Sequence, residues 1–303
     1  MSNPNPSNHA ASAYAKLMNI AGEQKLNFMS LLIRYATERF LYRLSVSESA
    51  SKFVLKGGNL FVIWQKGQNF RPTVDADLPC LGNTDPEHLK SIFLQAAKNP
   101  VSLKDGMRFD MDSFRLDAIR EETEYGGTRI TFNGFLTAAR IPLQFDICVG
   151  DAITPPPELM DFPVLLDGPA PRLKAYPMAA AIAEKAEIMI SRGIINSRMK
   201  DFYDIWLLSE LLIMIIPYCA EPSEIPLRGA RCHGPPRCRT YTTQFATSPI
   251  KSTQWNAFLR KNILHSAPAN FSLVITRIAM FLNPVFFPPE DIPEKWVAAR
   301  GWK

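Results

Sequence analysis

Long apolar runs are missing from this sequence of 303 residues. The longest, residues 205–218, is broken by Ser209, Glu210 and Pro217 and falls short of the roughly 20 residues a bilayer requires, so no membrane partner is expected. Cysteine is scarce and irregularly spaced: five residues, an odd number, exclude the disulfide framework of a small secreted fold and point to a reducing compartment. Residues 1–8 are polar, carry two prolines and lack the basic and apolar regions of an export signal, which gives a cytoplasmic expectation. Four scattered histidines argue against a His-rich zinc centre, and Cys232, His233 and Cys238 have no second pair at zinc-ligand spacing. Also absent are Gly-x-x-x-x-Gly-Lys-Ser/Thr, His-Glu-x-x-His and Gly-x-Ser-x-Gly, which removes the phosphate loop, the zinc-protease helix and the serine-hydrolase elbow. A strong charge imbalance is lacking too. The 34 Lys and Arg against 29 Asp and Glu leave +5, which permits an RNA or nucleotide partner without demanding one.

What is present is an ordinary globular composition, 47% hydrophobic and 21% charged, in a length that allows one large domain or two small ones. Residues 11–45 carry apolar side chains at helical spacing, including Leu31, Leu32, Tyr35, Phe40 and Leu41. A short apolar run at 53–55 ends in Lys56-Gly57-Gly58-Asn59 and gives way to helical spacing at 60–64. Residues 73–78 alternate apolar and acidic, as a strand does, so that Asp75 and Asp77 share one face. A helix at 86–98 and strands at 113–120, 127–133 and 139–149 follow, with Tyr125-Gly126-Gly127 as a turn and Asp146 between apolar neighbours on the last strand. Beyond Pro155-Pro156-Pro157 the pattern becomes helical, at 179–191, 198–212, 255–264 and 271–281. The expected fold class is α+β: N-terminal helices and a mixed-sheet core over 1–166, then a helical part over 167–303, with an atypical segment at 213–241.

The chemistry concentrates in one constellation. Hard divalent cations such as Mg²⁺ take carboxylate oxygens, and a strand presenting positions i and i+2 on one side aims Asp75 and Asp77 at a common point, with Asp146 supplied by a neighbouring strand. Gly57-Gly58 leading into a helix would let a phosphate approach the backbone with no Cβ in the way. Arg71, just before the acidic strand, is a candidate phosphate or RNA contact, or equally a surface residue.

These residues resemble a known family. The run Phe53-Val-Leu-Lys56-Gly57-Gly58-Asn59-Leu60, then Arg71-Pro-Thr73-Val-Asp75-Ala-Asp77, Gln144-Phe-Asp146-Ile-Cys-Val-Gly150-Asp151, Ala183-Glu184-Lys185 and Ser197-Arg198-Met-Lys200-Asp201-Phe-Tyr203-Asp204 is similar to the nucleotidyltransferase AbiEii/AbiGii toxin family. That family belongs to the DNA polymerase β-like nucleotidyltransferases. The resemblance implies a polymerase β-like core and a toxin of a toxin–antitoxin or abortive-infection system. Its activity would move a nucleoside monophosphate from a triphosphate to an RNA acceptor, tRNA 3′ ends in studied relatives, and a cognate antitoxin would be encoded next door. Carried over by position, Asp75, Asp77 and Asp146 are metal-binding and catalytic, in a two-ion Mg²⁺ site, while Lys185 and Asp201 are further catalytic positions. Lys56, Gly57, Gly58, Asn59, Arg71 and Lys185 are the expected nucleotide-binding set. No role is assigned to Asp151. Asp204, three residues from Asp201 on one helix, reads best as a local pair with Arg198 or Lys200. Two other readings use the same residues: a nucleotide-binding or interaction protein without turnover, and transfer to a protein hydroxyl.

Residues 213–241 depart from the family. They carry five prolines and three of the five cysteines, and helical periodicity vanishes there. Such a segment arises from a compensated shift of reading frame in the coding DNA or from a divergent loop; resequencing against relatives separates the two.

Overall fold

The helical spacing of residues 11–45 resolves into two helices, α1 (Pro6–Glu23) and α2 (Phe28–Ser45). Asn27 begins the second: its side-chain oxygen accepts the Ser30 N–H at 3.0 Å and satisfies one of the first-turn donors. The computed structural model describes residues 6–67, 71–99, 105–119, 126–150, 153–211, 213–215, 243–264, 266–286, 295–298 and 301–302. The chain divides into two compact units, Met1–Pro177 and Met178–Lys303.

In the first unit, β1 (Val54–Leu55) is followed by a single 3₁₀ turn, Gly57–Asn59, and the short α3 (Leu60–Trp64). Then come β2 (Asp75–Asp77), α4 (Pro86–Lys98), β3 (Met107–Ile119), β4 (Gly127–Leu136) and β5 (Ala139–Ile147), and after them β6 (Glu158–Asp161) and β7 (Arg172–Ala175). One mixed sheet has the order β2-β5-β4-β3, with β2 parallel to β5 and the other pairs antiparallel. A smaller sheet has the order β1-β7-β6. Strand β3 starts six residues before the alternating pattern at 113. Its register shifts between Asp110 and Arg115, where the Asn133 N–H donates to the Ser113 hydroxyl at 2.9 Å, and this bulge hides the earlier part of the strand from a period-two reading. Strands β6 and β7 are too short for periodicity to reveal. Tyr125 of the expected turn lies outside the described residues.

The main sheet has two chemically distinct faces. Along β4 and β5, Ile130, Phe132, Leu136, Ile141, Leu143, Phe145 and Ile147 are buried, while Arg129, Thr131, Gln144 and Asp146 occupy the alternate positions. The buried face meets Phe40 of α2, whose ring lies 4.8 to 5.5 Å from those of Phe93, Phe109, Phe132 and Phe145. The polar side of α2 ties down irregular backbone. Buried Glu38 accepts the Leu165 N–H at 2.8 Å and pairs with Arg39, and Arg43 grips Asp105 with two hydrogen bonds. Burial raises the Glu38 carboxyl to about 7 against the pull of Arg39.

The second unit contains α5 (Met178–Arg192), α6 (Met199–Leu211), β8 (Ile213–Ile215), α7 (Thr243–Ala246), α8 (Pro249–Asn262), α9 (Phe271–Phe286), β9 (Lys295–Val297) and β10 (Gly301–Trp302). Helix α8 starts six residues before the spacing at 255 suggests, because Pro249 is tolerated in a first turn. The three strands form a small antiparallel sheet that helical periodicity does not announce. Residues 213–215 of the atypical segment are strand, and residues 216–241 lie outside the described ones. Trp255 is fully buried and donates to the Pro268 carbonyl at 2.8 Å, and Trp296 likewise donates to Ser209 at 3.0 Å.

Phe40 is the ring shared by helix and sheet, so Phe40→Ala should lower the unfolding free energy of the first unit by about 3–5 kcal/mol, read by denaturant titration.

Candidate active site

The loop after β1 is held against β2 by its backbone. The Lys56 N–H donates to the Asp77 carbonyl at 2.9 Å, and the Asn59 side-chain amide donates to the Asp75 carbonyl at 3.0 Å. Gly57 sits at φ +72°, the left-handed region that favours glycine, and a Cβ there would fall on the Asp77 carboxylate. A Cβ at Gly58 would strike the Thr73 hydroxyl and reach within 3.0 Å of the Arg71 guanidinium. The glycine pair is therefore walled by a carboxylate on one side and by a hydroxyl and a guanidinium on the other. The Thr73 hydroxyl oxygen is buried without a hydrogen-bond partner among the described residues. Helix α3 has only five residues, so a developed helix-end field is not part of this cradle.

Each predicted residue can now be placed. The Asn59 amide, buried, ties loop to strand. The Lys56 ammonium lies over the Tyr176 ring, 5.1 Å from its centroid. Asp75 stands opposite Gln144, and Asp77 opposite Asp146, in the parallel pairing of β2 with β5. That register brings one carboxylate oxygen each from Asp75, Asp77 and Asp146 to within 4.8 Å of one another. All three are half-buried and all offer hard oxygen donors.

Two neighbours escape sequence reasoning. Arg129, opposite Asp146 on β4, donates from Nε to Oδ1 at 2.8 Å and from its terminal nitrogen to Oδ2 at 2.7 Å. The hydrogen bond that Arg129 donates to Asp146, with the nearby charges of Asp146, Asp75 and Asp117, raises the guanidinium pKa. Gln144 donates to the Asp146 Oδ1 at 3.3 Å. Alternation along β4 puts Arg129 on the polar face, but only the pairing register identifies its partner.

In the second unit, Lys185 of α5 donates to Asp204 at 2.8 Å and to Asp201 at 3.2 Å, and Arg198 donates to Asp201 at 2.8 Å. Asp201 and Asp204 are almost wholly buried. The Arg198 to Asp201 pair agrees with the local reading of that motif, whereas Asp204 is paired across helices with Lys185 instead of with Arg198 or Lys200. Among the described residues no helix is long and apolar enough to cross a membrane.

The carboxylate cluster on the mixed sheet, beside the glycine loop, offers three hard oxygen donors to a divalent ion. Residues 39–277 match the model of the nucleotidyl transferase AbiEii toxin family of type IV toxin–antitoxin systems. The chain belongs to that family and is a nucleotidyltransferase. Among solved structures, MenT4, a nucleotidyltransferase toxin of Mycobacterium tuberculosis, aligns over 88% of this chain and 93% of its own at 16% identity and a TM-score of 0.47. JHP933 of Helicobacter pylori aligns over 84% of this chain and 93% of its own at 12% identity and a TM-score of 0.50, a likeness of fold. No curated protein matches the sequence.

Gly57→Ala should lose on the order of 10²-fold in nucleotidyl transfer because it displaces the Asp77 carboxylate, with a stability loss of about 1–2 kcal/mol from the left-handed backbone alone; transfer assays and thermal unfolding read the two effects. Lys185→Ala should cost about 3–5 kcal/mol of stability because it takes the ammonium away from buried Asp204 and leaves Asp201 with Arg198 alone. Arg198→Ala, at a half-exposed side chain, should cost about 1 kcal/mol or less in the same denaturant titration.

Proposed function

We propose that this chain is the toxin of a toxin–antitoxin pair and that it transfers a nucleoside monophosphate from a triphosphate to an RNA acceptor, the 3′ end of tRNA, with two Mg²⁺ ions held by Asp75, Asp77 and Asp146. The observation that carries this reading is the convergence of those three carboxylates within 4.8 Å, beside a loop whose Gly57 and Gly58 leave room for the Asp77 carboxylate and for the Thr73 and Arg71 side chains. The donor set fits the ions, since it is all oxygen, and a cation already lies against it in the form of the Arg129 guanidinium. Ions bound there would supply Lewis-acid polarisation of the α-phosphate and acidify the attacking hydroxyl.

The reaction forms a bond from the acceptor oxygen to the α-phosphorus, breaks the bond to the β-phosphate oxygen and releases pyrophosphate. In it, Gly57 and Gly58 let the Asp77 carboxylate and the Arg71 and Thr73 side chains pack against the loop backbone, and Arg71, with the Thr73 hydroxyl beside it, binds the triphosphate oxygens. Lys56 adds positive charge at the end of β1. Asn59 keeps the loop in register with Asp75. Support for Lys185 and Asp201 as further catalytic residues comes from the family motif they match: Lys185 neutralises triphosphate oxygens, and Asp201 with Asp204 fixes its ammonium. The toxin is held silent in the cytoplasm by an antitoxin encoded beside it.

Incubation of the purified chain with labelled nucleoside triphosphates, Mg²⁺, total tRNA and cell protein tests this. Label should enter RNA, and Asp75→Ala should reduce incorporation on the order of 10²–10³-fold or more. Label entering protein would move the acceptor to a protein hydroxyl, and label entering neither would leave a nucleotide-binding protein without turnover.

A further inference from the structure

On the polar face of the main sheet, Asp77 of β2, Asp146 of β5, Arg129 of β4 and Asp117 of β3 stand directly opposite one another, strand by strand. Asp146 thus has an acid on one flank and a base on the other. Arg129 engages it through a two-pronged fork, both contacts at 2.8 Å or less, the short geometry of charge-assisted hydrogen bonds. This fork takes one lone pair of each Asp146 oxygen, and the Gln144 amide donates to Oδ1 at 3.3 Å as well.

Acids directly opposite across a strand pair repel, and the third carboxylate, Asp75, adds to that charge. Before any divalent ion arrives, the guanidinium is a positive charge beside Asp146 that offsets its repulsion with Asp77. Once an ion is bound, the same guanidinium becomes a repulsive neighbour, because the ion and Arg129 then share one carboxylate.

We propose that Arg129 is a built-in counter-ion of the metal-binding carboxylates, competing with divalent ions for Asp146 so that the chain alone binds them weakly and binds them well only with the negative charge of a triphosphate present. This rests on the metal-dependent reading above and adds an order to it: ion and nucleotide enter together. Arg129 is in this sense a positioning residue, acting through Asp146. A guanidinium that merely orients Asp146 for the ion would have the opposite effect on affinity, since its removal would slacken a ligand instead of releasing one.

The test is direct titration of the full chain with Mn²⁺, without nucleotide, followed by the electron paramagnetic resonance signal of the free ion. Removing one positive charge roughly 6 Å from a divalent ion in a water-like dielectric corresponds to about tenfold in affinity, so Arg129→Gln should bind Mn²⁺ about tenfold more tightly than the wild type. Arg129→Lys, which keeps the charge, should stay near the wild type, and the gain of Arg129→Gln should vanish when Asp146→Asn is added. Mn²⁺ should also raise the melting temperature of Arg129→Gln by more than that of the wild type. In the unaltered protein, the Arg129 Nε–H resonance of ¹⁵N-arginine-labelled chain, assigned by its loss in Arg129→Lys, should shift as Mg²⁺ is added. Equal or weaker Mn²⁺ binding by Arg129→Gln, or a resonance that saturating Mg²⁺ leaves unmoved, overturns the proposal while wild-type binding that disappears in Asp75→Asn still upholds the metal site. Absence of Mn²⁺ binding from wild type and Arg129→Gln alike sinks the metal reading and the counter-ion with it.

Discussion

Electrostatic repulsion among Asp75, Asp77 and Asp146 is the constraint around which the first unit is arranged. Carboxylate oxygens within 4.8 Å of one another push apart, and stiff backbone together with the Arg129 guanidinium keeps them there. The stiffness comes from hydrogen bonds on every side of β2: Lys56 to the Asp77 carbonyl, Asn59 to the Asp75 carbonyl, and the Leu78 N–H to the Asp146 carbonyl at 2.9 Å. Beneath them, Phe145, between Gln144 and Asp146 in sequence, points its ring into the aromatic cluster around Phe40. Core and site are thus two faces of the same strands, and the apolar face anchors what the polar face would otherwise drive apart.

The second unit handles buried charge by a similar principle with different means. Asp201 and Asp204 lie almost wholly out of water, and an ammonium from a neighbouring helix together with a guanidinium from just before their own helix offsets them. A carboxylate so placed holds its cationic partner in one geometry. Lys251 extends the same economy to backbone: its buried ammonium donates to the Asn196 carbonyl at 2.6 Å and fixes the turn that leads into α6.

Much of the site was legible because its parts are local. Alternation around Asp75 and Asp77 needs only three residues to define a face, and the glycine pair declares a close approach by its lack of side chains. The order of helices and strands was legible for the longer elements, while the start of β3 was obscured by its bulge and the start of α8 by a proline that reads as a break. Membership of the toxin family, and with it the nucleotidyltransferase activity, likewise follows from short runs whose combination is specific.

By itself the sequence determined which residue types face which way along each strand and helix, since side-chain direction follows from the periods of two and 3.6 residues. Only the tertiary structure decided who meets whom. That Asp77 stands beside Asp146, that Arg129 rather than a lysine grips that acid, and that Lys185 reaches Asp204 are outcomes of strand register and helix packing. These join residues 17 to 69 positions apart, and no local pattern carries information over such separations.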